Sequence, residues 1–330
     1  MVKLGIRIAS LACGLFCLAG TDVSGMSAHD VTTFSIVACD MTTGELGVAV
    51  ASKFFAVGSV VPWAEAEVGA VATQAFANTT FGPRGLAMMR EGQSPDQAIN
   101  ELIGSDDRPR RRQVGMVDAQ GRSMTYTGDS CLAWAGGRRG PGYAVQGNIL
   151  AGEAVVAAME SAYLQTTGTL ADRLYAALLA AEANGGDSRG KQSAAMLIVK
   201  KGAGYGGYTD RAIDIRVDDH AEPFVELGRL LQFAQMNYAW NEAWTLFTEQ
   251  RFADALAPME RAARLAPEYG EVHYDLACIR LAGGDRAGAL SALQRAVELN
   301  PKLAATARTD GDLSGLHGAA EFDVITLDQK

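Results

Sequence analysis

The run Thr33-Phe-Ser-Ile-Val-Ala-Cys39 is followed by Asp40-Met-Thr-Thr-Gly44 and then by Leu46-Gly-Val-Ala-Val-Ala51. Two β-rich stretches joined by turn chemistry predict a β-hairpin. Beyond this pair, residues 59–64 and 69–76 read as two more strands, with Pro62 placing the former at an edge or a bend. The period then changes. Residues 83–90 read as a helix, and Ser94-Pro95-Asp96-Gln97 caps a second helix running to 103. Residues 112–118 and 122–127 form another hairpin around Ala119-Gln120-Gly121, and 143–146 is a short strand. Helices follow at 153–165 and 170–184, the second ended by Gly185 and Gly186. Strands at 193–200 and 212–217 enclose the glycine-rich Gly202 to Gly207, read as a hairpin turn, and Pro223 opens a helix toward Ala234. Strands that cluster as hairpins favour antiparallel sheets covered by helices over a Rossmann-type wind.

The remainder of the chain, residues 237–330, is helical in pattern and repeats itself. Phe252-Ala-Asp-Ala-Leu256 returns as Arg286-Ala-Gly-Ala-Leu290. Glu260-Arg-Ala-Ala-Arg-Leu-Ala-Pro267 returns as Gln294-Arg-Ala-Val-Glu-Leu-Asn-Pro301, each at an offset of 34 residues. That is the tetratricopeptide period, one helix-turn-helix per repeat. Small Ala255 and Ala289 permit close helix contact, and Pro267 and Pro301 end the second helix of each repeat. Each repeat buries its apolar face on a neighbour, so Leu313, Leu316 and Phe322 are expected to cap the stack.

At the other end, Lys3 and Arg7 precede an uncharged, mostly apolar run of 13 residues from Ile8 to Gly20. This is too short to span a membrane, which takes about 20 residues, and small residues follow it. Residues 1–28 therefore read as a secretory signal, with Val23-Ser24-Gly25 as a cleavage site. The alternatives are a buried helix or lipoprotein processing at Cys13 or Cys17. Export places the protein in the periplasm or outside the cell, with no stable membrane insertion. Removing this segment leaves Cys39, Cys131 and Cys278, an odd and widely spaced set expected to be buried thiols.

Composition removes other classes. The chain has 330 residues, 48% apolar and 20% charged, so it is globular and long enough for about two domains. A net charge of −9 lacks the footprint of a nucleic-acid binder. Four histidines, with no HExxH, CxxC or His-x-His pattern, give no metal site, and no cofactor motif appears. Asp218-Asp219-His220, the one His/carboxylate cluster, reads as a solvated strand end, with a metal or acid/base role as the alternative. No GxSxG occurs, which argues against a Ser-His-Asp hydrolase. An aromatic content of 7% gives no hint of a carbohydrate-stacking groove.

One constellation remains. Thr32 or Thr33 heads the first strand. A threonine hydroxyl is a weak nucleophile unless a base takes its proton, and a free α-amine on the same residue can do so. Such a site needs a nearby cation and N–H donors for an oxyanion. Lys53, at the far end of the paired strand, comes back beside the start of the first strand and can supply the cation.

Thr33-Phe-Ser-Ile-Val-Ala-Cys-Asp40 and Gly44-Glu-Leu-Gly-Val-Ala-Val-Ala-Ser-Lys-Phe54 closely resemble family 1028 of the domains of unknown function. Ala56-Val-Gly-Ser-Val-Val-Pro-Trp63, Gly140-Pro-Gly-Tyr143, Gln146-Gly-Asn-Ile-Leu-Ala-Gly152, Arg189-Gly-Lys-Gln-Ser193 and Ile215-Arg-Val-Asp-Asp-His220 extend the resemblance over about residues 32–230. That family is placed among the N-terminal-nucleophile (Ntn) hydrolases. The resemblance implies a four-layer αββα sandwich over residues 32–234, an α+β fold, ahead of the helical repeats, and amide-bond hydrolysis. By position, Thr33 is the nucleophile, its own amine the base and Lys53 the tuning cation. Backbone donors of the segment from Gln74 to Thr80, with Asn78 and Asn148, hold the oxyanion or contribute polar groups. Arg189, Lys191 and Gln192 bind an anionic substrate group. None of the signal-cleavage sites exposes Thr33, so a second cut after Thr32 is required.

Two functions follow. The first is a secreted amidohydrolase acting on small amides or peptidoglycan-derived material. The second is a catalytically silent ligand-binding sandwich whose repeats recruit a protein partner.

Overall fold

Residues 33–327 are described by a computed structural model of the protein. The segment read as a secretory signal, residues 1–28, lies outside them. In chain order the strands are β1 (Thr33–Asp40), β2 (Glu45–Ser52), β3 (Pro62–Glu65), β4 (Gly69–Ala75), β5 (Arg112–Asp118), β6 (Ser123–Thr127), β7 (Gly136–Gly140), β8 (Tyr143–Asn148), β9 (Ser193–Val199) and β10 (Arg211–Val217). The helices are α1 (Phe81–Arg90), α2 (Pro95–Gly104), α3 (Glu153–Gln165), α4 (Leu170–Ala183), α5 (Pro223–Thr248), α6 (Phe252–Leu265), α7 (Gly270–Ala282), α8 (Arg286–Leu299), α9 (Leu303–Ala307) and α10 (Ala320–Leu327).

The opening hairpin forms in the register Thr33↔Ser52 to Asp40↔Glu45. Its turn is set by Asp40 Oδ1, which accepts from the Thr42 and Thr43 amides, and by Gly44 at φ 74°. This hairpin is the centre of a six-stranded antiparallel sheet in the order β10-β9-β2-β1-β8-β7, and a second antiparallel sheet has the order β3-β4-β5-β6.

Period-two alternation sorts the residues of β1 to two cores. Phe34, Ile36 and Ala38 pack under Met159, Tyr163, Leu174 and Leu178 of α3 and α4. Val37 and Cys39, with Val48 and Val50 of β2, meet Ala70, Ala72 and Val117 of the second sheet. The far side of that sheet, through Val71, Val114 and Met116, is covered by Phe81, Ile99 and Leu102 of α1 and α2. The order is helices, sheet, sheet, helices. Ser94 and Gln97 exchange the reciprocal hydrogen bonds of a capping box at the start of α2, as the sequence predicts.

Two expectations are corrected, and one strand has no sequence reading. Residues 59–64 are not one strand. A 3₁₀ turn occupies Val57–Ser59, and the strand begins at Pro62 on the sheet edge, where a missing N–H is tolerated. Strand β7 has no apolar alternation to betray it, being Gly136-Gly-Arg-Arg-Gly140, and is held as an edge by pairing with β8. The helix opened by Pro223 does not end near Ala234. It runs to Thr248, so the expected boundary between residues 234 and 237 falls inside α5.

Phe224, Leu227 and Leu231 of α5 belong to the core under the six-stranded sheet. Met236, Ala239 and Ala243 of the same helix belong to a second core with α6, α7 and α8. That core extends to Leu313, Leu316 and Phe322 at the C-terminal end. Helices α6 and α8 have 14 residues each and keep the 34-residue offset of the repeat. Cys39 and Cys278 are buried as expected, whereas Cys131 is half-buried. Among the described residues no helix is long and apolar enough to cross a membrane.

Candidate functional site

Antiparallel pairing sets directly opposed residues on the same face of a sheet. Thr33 of β1 lies opposite Ser52 of β2 on one side and Asn148 of β8 on the other, and Ser52 lies opposite Ser193 of β9. Four adjacent strands thus end in one polar row: Ser193, Ser52, Thr33 and Asn148. All four are buried, Thr33 completely. The Thr33 hydroxyl lies 3.4 Å from Ser52 Oγ. Ser193 Oγ donates to the Phe54 carbonyl at 2.5 Å and accepts from the Val57 amide at 3.2 Å, tying the chain after β2 to the row.

The second sheet faces this row with carboxamides. Gln74 Nε2 donates to the Thr33 carbonyl at 3.2 Å and to Gln113 Oε1 at 2.8 Å. Gln113 Oε1 also accepts from Asn148 Nδ2 at 2.9 Å. One step along β1, Ser35 Oγ donates to Gln74 Oε1 and accepts from Gln146 Nε2, both at 2.6 Å. The apolar inter-sheet core therefore gives way to a connected polar network at one end. Buried polar groups are costly unless paired. Here they are paired mainly to one another, and Gln146 Oε1 is left without a partner.

The backbone is strained at the same end. Ala75 closes β4 at φ 64°, Ile149 follows Asn148 at φ 53°, and Ala56 follows β2 at φ 53°. Left-handed backbone is unfavourable for any residue with a Cβ and most of all for a β-branched one. Such strain concentrates at functional sites.

Asp187 is among the residues that sequence reasoning missed. It is 4% exposed and bridges to Leu150 just beyond β8. Its Oδ2 accepts from the Lys53 amide at 2.9 Å and from Arg189 at 3.0 Å, while Oδ1 accepts from the Arg189 amide and Nε. The Arg189 guanidinium is thus engaged within the protein. Lys191 pairs with Glu222 at 2.6 Å and Glu182 at 3.6 Å, and its hydrogen bond with Glu222 raises its pKa. Gln192 donates to Asp219 through its side chain and to the Ser52 carbonyl through its amide. The 187–192 loop comes to the Thr33 end with its charges largely neutralised.

Lys53 reaches the same end through its backbone. Its side chain is exposed, and its ammonium lies 3.4 Å from the Lys191 carbonyl. Asn148 is opposite Thr33. Asn78 is turned elsewhere: its Nδ2 donates to Asp106 at 2.8 Å and its Oδ1 accepts from Thr80. Asp106 in turn pairs with the buried Arg112 at 2.9 Å. Burial alone would raise the Asp106 carboxyl, but the hydrogen bonds from Arg112 and Asn78 outweigh it and hold the pKa below the ordinary value. Arg112 also donates to the Phe76 carbonyl, and the guanidinium of Arg111 lies 4.4 Å from the Phe76 ring centroid. Among the described residues no group of three or more His, Cys, Asp or Glu is placed to hold a metal ion.

The fold and site define a mixed α/β protein: two antiparallel sheets, helices outside them, a polar end built around a strand-leading threonine, and a C-terminal helical region. The profile of the family of unknown function DUF1028 matches residues 33–227, more than half of the chain, and the chain belongs to this family. It is similar to the crystal structure of protein SPO2555 from Silicibacter pomeroyi, a DUF1028 protein, with a TM-score of 0.56 and 31% identity over 62% of this chain and 89% of that one. Comparison with curated proteins found no match.

Proposed function

We propose that this protein is an N-terminal-nucleophile amidohydrolase in which Thr33, freed by cleavage of the 32–33 bond, attacks the substrate carbonyl. The observation that carries the reading is the placement of Thr33: wholly buried, at the head of a central strand, in a polar row with Ser52 and Asn148 and beneath Gln74 and Gln113. The family match begins at this same residue.

Cleavage supplies an α-amine whose ordinary pKa is near 8. The neutral amine takes the proton from Thr33 Oγ1 as the oxygen attacks the amide carbon. The C–N bond then breaks, the proton passes to the departing amine, and an ester on Thr33 remains for water to hydrolyse with the same base. Asn148, opposite Thr33, offers its carboxamide N–H to the oxyanion. Gln74 holds the Thr33 carbonyl and positions the strand. Lys53 places a positive charge at the rim, which disfavours protonation of the amine. Asp187 and Arg189 shape the adjoining loop.

On this reading the helix-sheet-sheet-helix order is the αββα sandwich of that superfamily. The second half of α5 with α6, and α7 with α8, form tetratricopeptide pairs offering a surface to a protein partner. Residues 1–28 direct export to the periplasm or the medium. The substrate is a small amide or a peptidoglycan-derived one.

Intact mass and N-terminal sequencing of the exported protein test the first requirement, and turnover of an amide and muropeptide panel tests the second. The expected result is a chain beginning at Thr33 whose turnover is abolished by Thr33→Ala with the melting curve unchanged. Activity surviving that substitution removes Thr33 as nucleophile. A mature chain that begins before residue 33 and turns over nothing supports instead a binding body that recruits a partner through its helices.

A further inference from the structure

Far from Thr33, a cleft of about 640 Å³ lies where the β1–β2 turn, the start of α4, strands β9 and β10, and helices α5 and α6 meet. Strand β1 separates it from the polar row by about 23 Å, the length of an eight-residue strand at ~3.3 Å per step. Its volume is in the range that accepts a small molecule. Ile198, Ile213 and Leu265 give it an apolar side, its carboxylates are Asp40, Glu45, Asp172 and Glu242, and its cations are Lys200 and Arg261.

These acids are not equivalent. Asp40 Oδ1 is satisfied by the Thr42 and Thr43 amides. Asp172 accepts from the Thr169 amide and hydroxyl and from Gln235. Glu242 is paired with Arg261 at 2.7 Å. Glu45 differs. The residue is 8% exposed, and its carboxylate accepts one hydrogen bond, from the Tyr238 hydroxyl to Oε1 at 3.2 Å. Among the described residues its Oε2 has no donor and no cation within ion-pair distance, yet this oxygen is not sealed from solvent. Burial, and after it the negative charges of Glu45 and Glu242, push the Tyr238 phenol up. Glu45 Oε2 borders an apolar-sided cleft in which carboxylates outnumber cations four to two.

We propose that this cleft binds a small primary ammonium compound with an apolar body, the ammonium on Glu45 and the body against Ile198, Ile213 and Leu265. A neutral or anionic ligand of the same shape would leave Glu45 uncompensated. The discrimination therefore comes from charge, while the apolar wall adds affinity that does not depend on it.

The test is calorimetric titration of the full-length protein with n-hexylamine, 1-hexanol and hexanoate at neutral pH. The expected result is saturable 1:1 binding of hexylammonium, with the alcohol and the carboxylate weaker by at least about tenfold. Glu45→Gln, which keeps the shape and the acceptor for Tyr238, should weaken the amine by a similar factor and leave the alcohol unchanged. Leu265→Trp, which fills the cleft without touching Glu45, should abolish binding, and it decides the matter if the Glu45 variant fails to fold. The proposal is overturned by no saturation up to about 10 mM, by equal binding of the alcohol, or by amine affinity unchanged in a folded Glu45→Gln protein.

Discussion

A Cβ on Gly115 would come within 2.1 Å of Gln146 Oε1, the one oxygen of the polar network that has no partner. Gly115→Ala should therefore displace the Gln146 carboxamide and cost about 1–3 kcal/mol, read as a lower urea midpoint at unchanged slope. Asp275 offers a second residue-scale test. Burial raises its carboxyl from 3.8 to about 6, with the Trp240 N–H, 2.7 Å away, pulling the other way and Asp310 and Asp312 adding to the rise. The folded state then holds the proton more tightly than the unfolded one. This contribution is full below about pH 4 and is lost as pH rises through 6, a difference of about 3 kcal/mol at most. Wild type should gain stability relative to Asp275→Asn between pH 8 and pH 4.5 in parallel denaturant titrations. Identical pH slopes would refute the assignment. Thr33 was legible because it heads a strand within a family-like run. Ser52, Ser193, Gln113 and Gln146 were not, because what unites them is register between strands distant in sequence. A polar residue at the end of an apolar strand is their only local mark, and it is a weak one.

At the scale of the element, the stop signals explain which boundaries could be read. Helix α7 ends with Gly284 at φ 85°, its amide bonded to the Leu281 carbonyl and that of Asp285 to Arg280, the paired bonds of a Schellman motif. Glycine in that place is visible in a sequence. Helix α5 ends the same way, with the Gln250 amide on Phe247 and the Arg251 amide on Leu246, but the left-handed position at φ 62° is held by Gln250. A glutamine announces nothing, and from sequence the helix opened by Pro223 is followed only toward Ala234, short of its end at Thr248. Gln250→Gly should relieve the strain and stabilise the protein by about 1 kcal/mol, seen as a higher melting temperature. No change, or a loss, would mean the Gln250 side chain contributes contacts that offset its backbone. The helices at 153–165 and 170–184 and the 34-residue repeat were legible because their periodicity is local. Strand β7 was not, because its five glycines and arginines become a strand only when β8 lies beside them.

At the scale of the molecule, α5 is a 26-residue rod, about 39 Å long at 1.5 Å per residue. Leu227 and Leu231 sit in the core beneath the six-stranded sheet, and Ala239 and Ala243 sit in the core of the helical region. Gln235 hydrogen-bonds Thr169 and Asp172 near the middle of the rod. Calorimetry of the wild type should show one cooperative transition. Inserting two glycines after Gln235 turns the second half by about 200° relative to the first and should split that transition in two. A single peak persisting in the insertion variant would show that the cores are coupled by some other route. The same rod decides where a graft could succeed. A fusion that joined the first 234 residues to a foreign module would amputate the helix at mid-length and lose Met236, Ala239 and Ala243 with its second half. A cut at the bend of residues 249–251 would keep the helix whole but bare those three side chains to water, so recombination between relatives with different C-terminal appendages is expected to carry the sheets, α5 and the helices that pack on its second half as one piece.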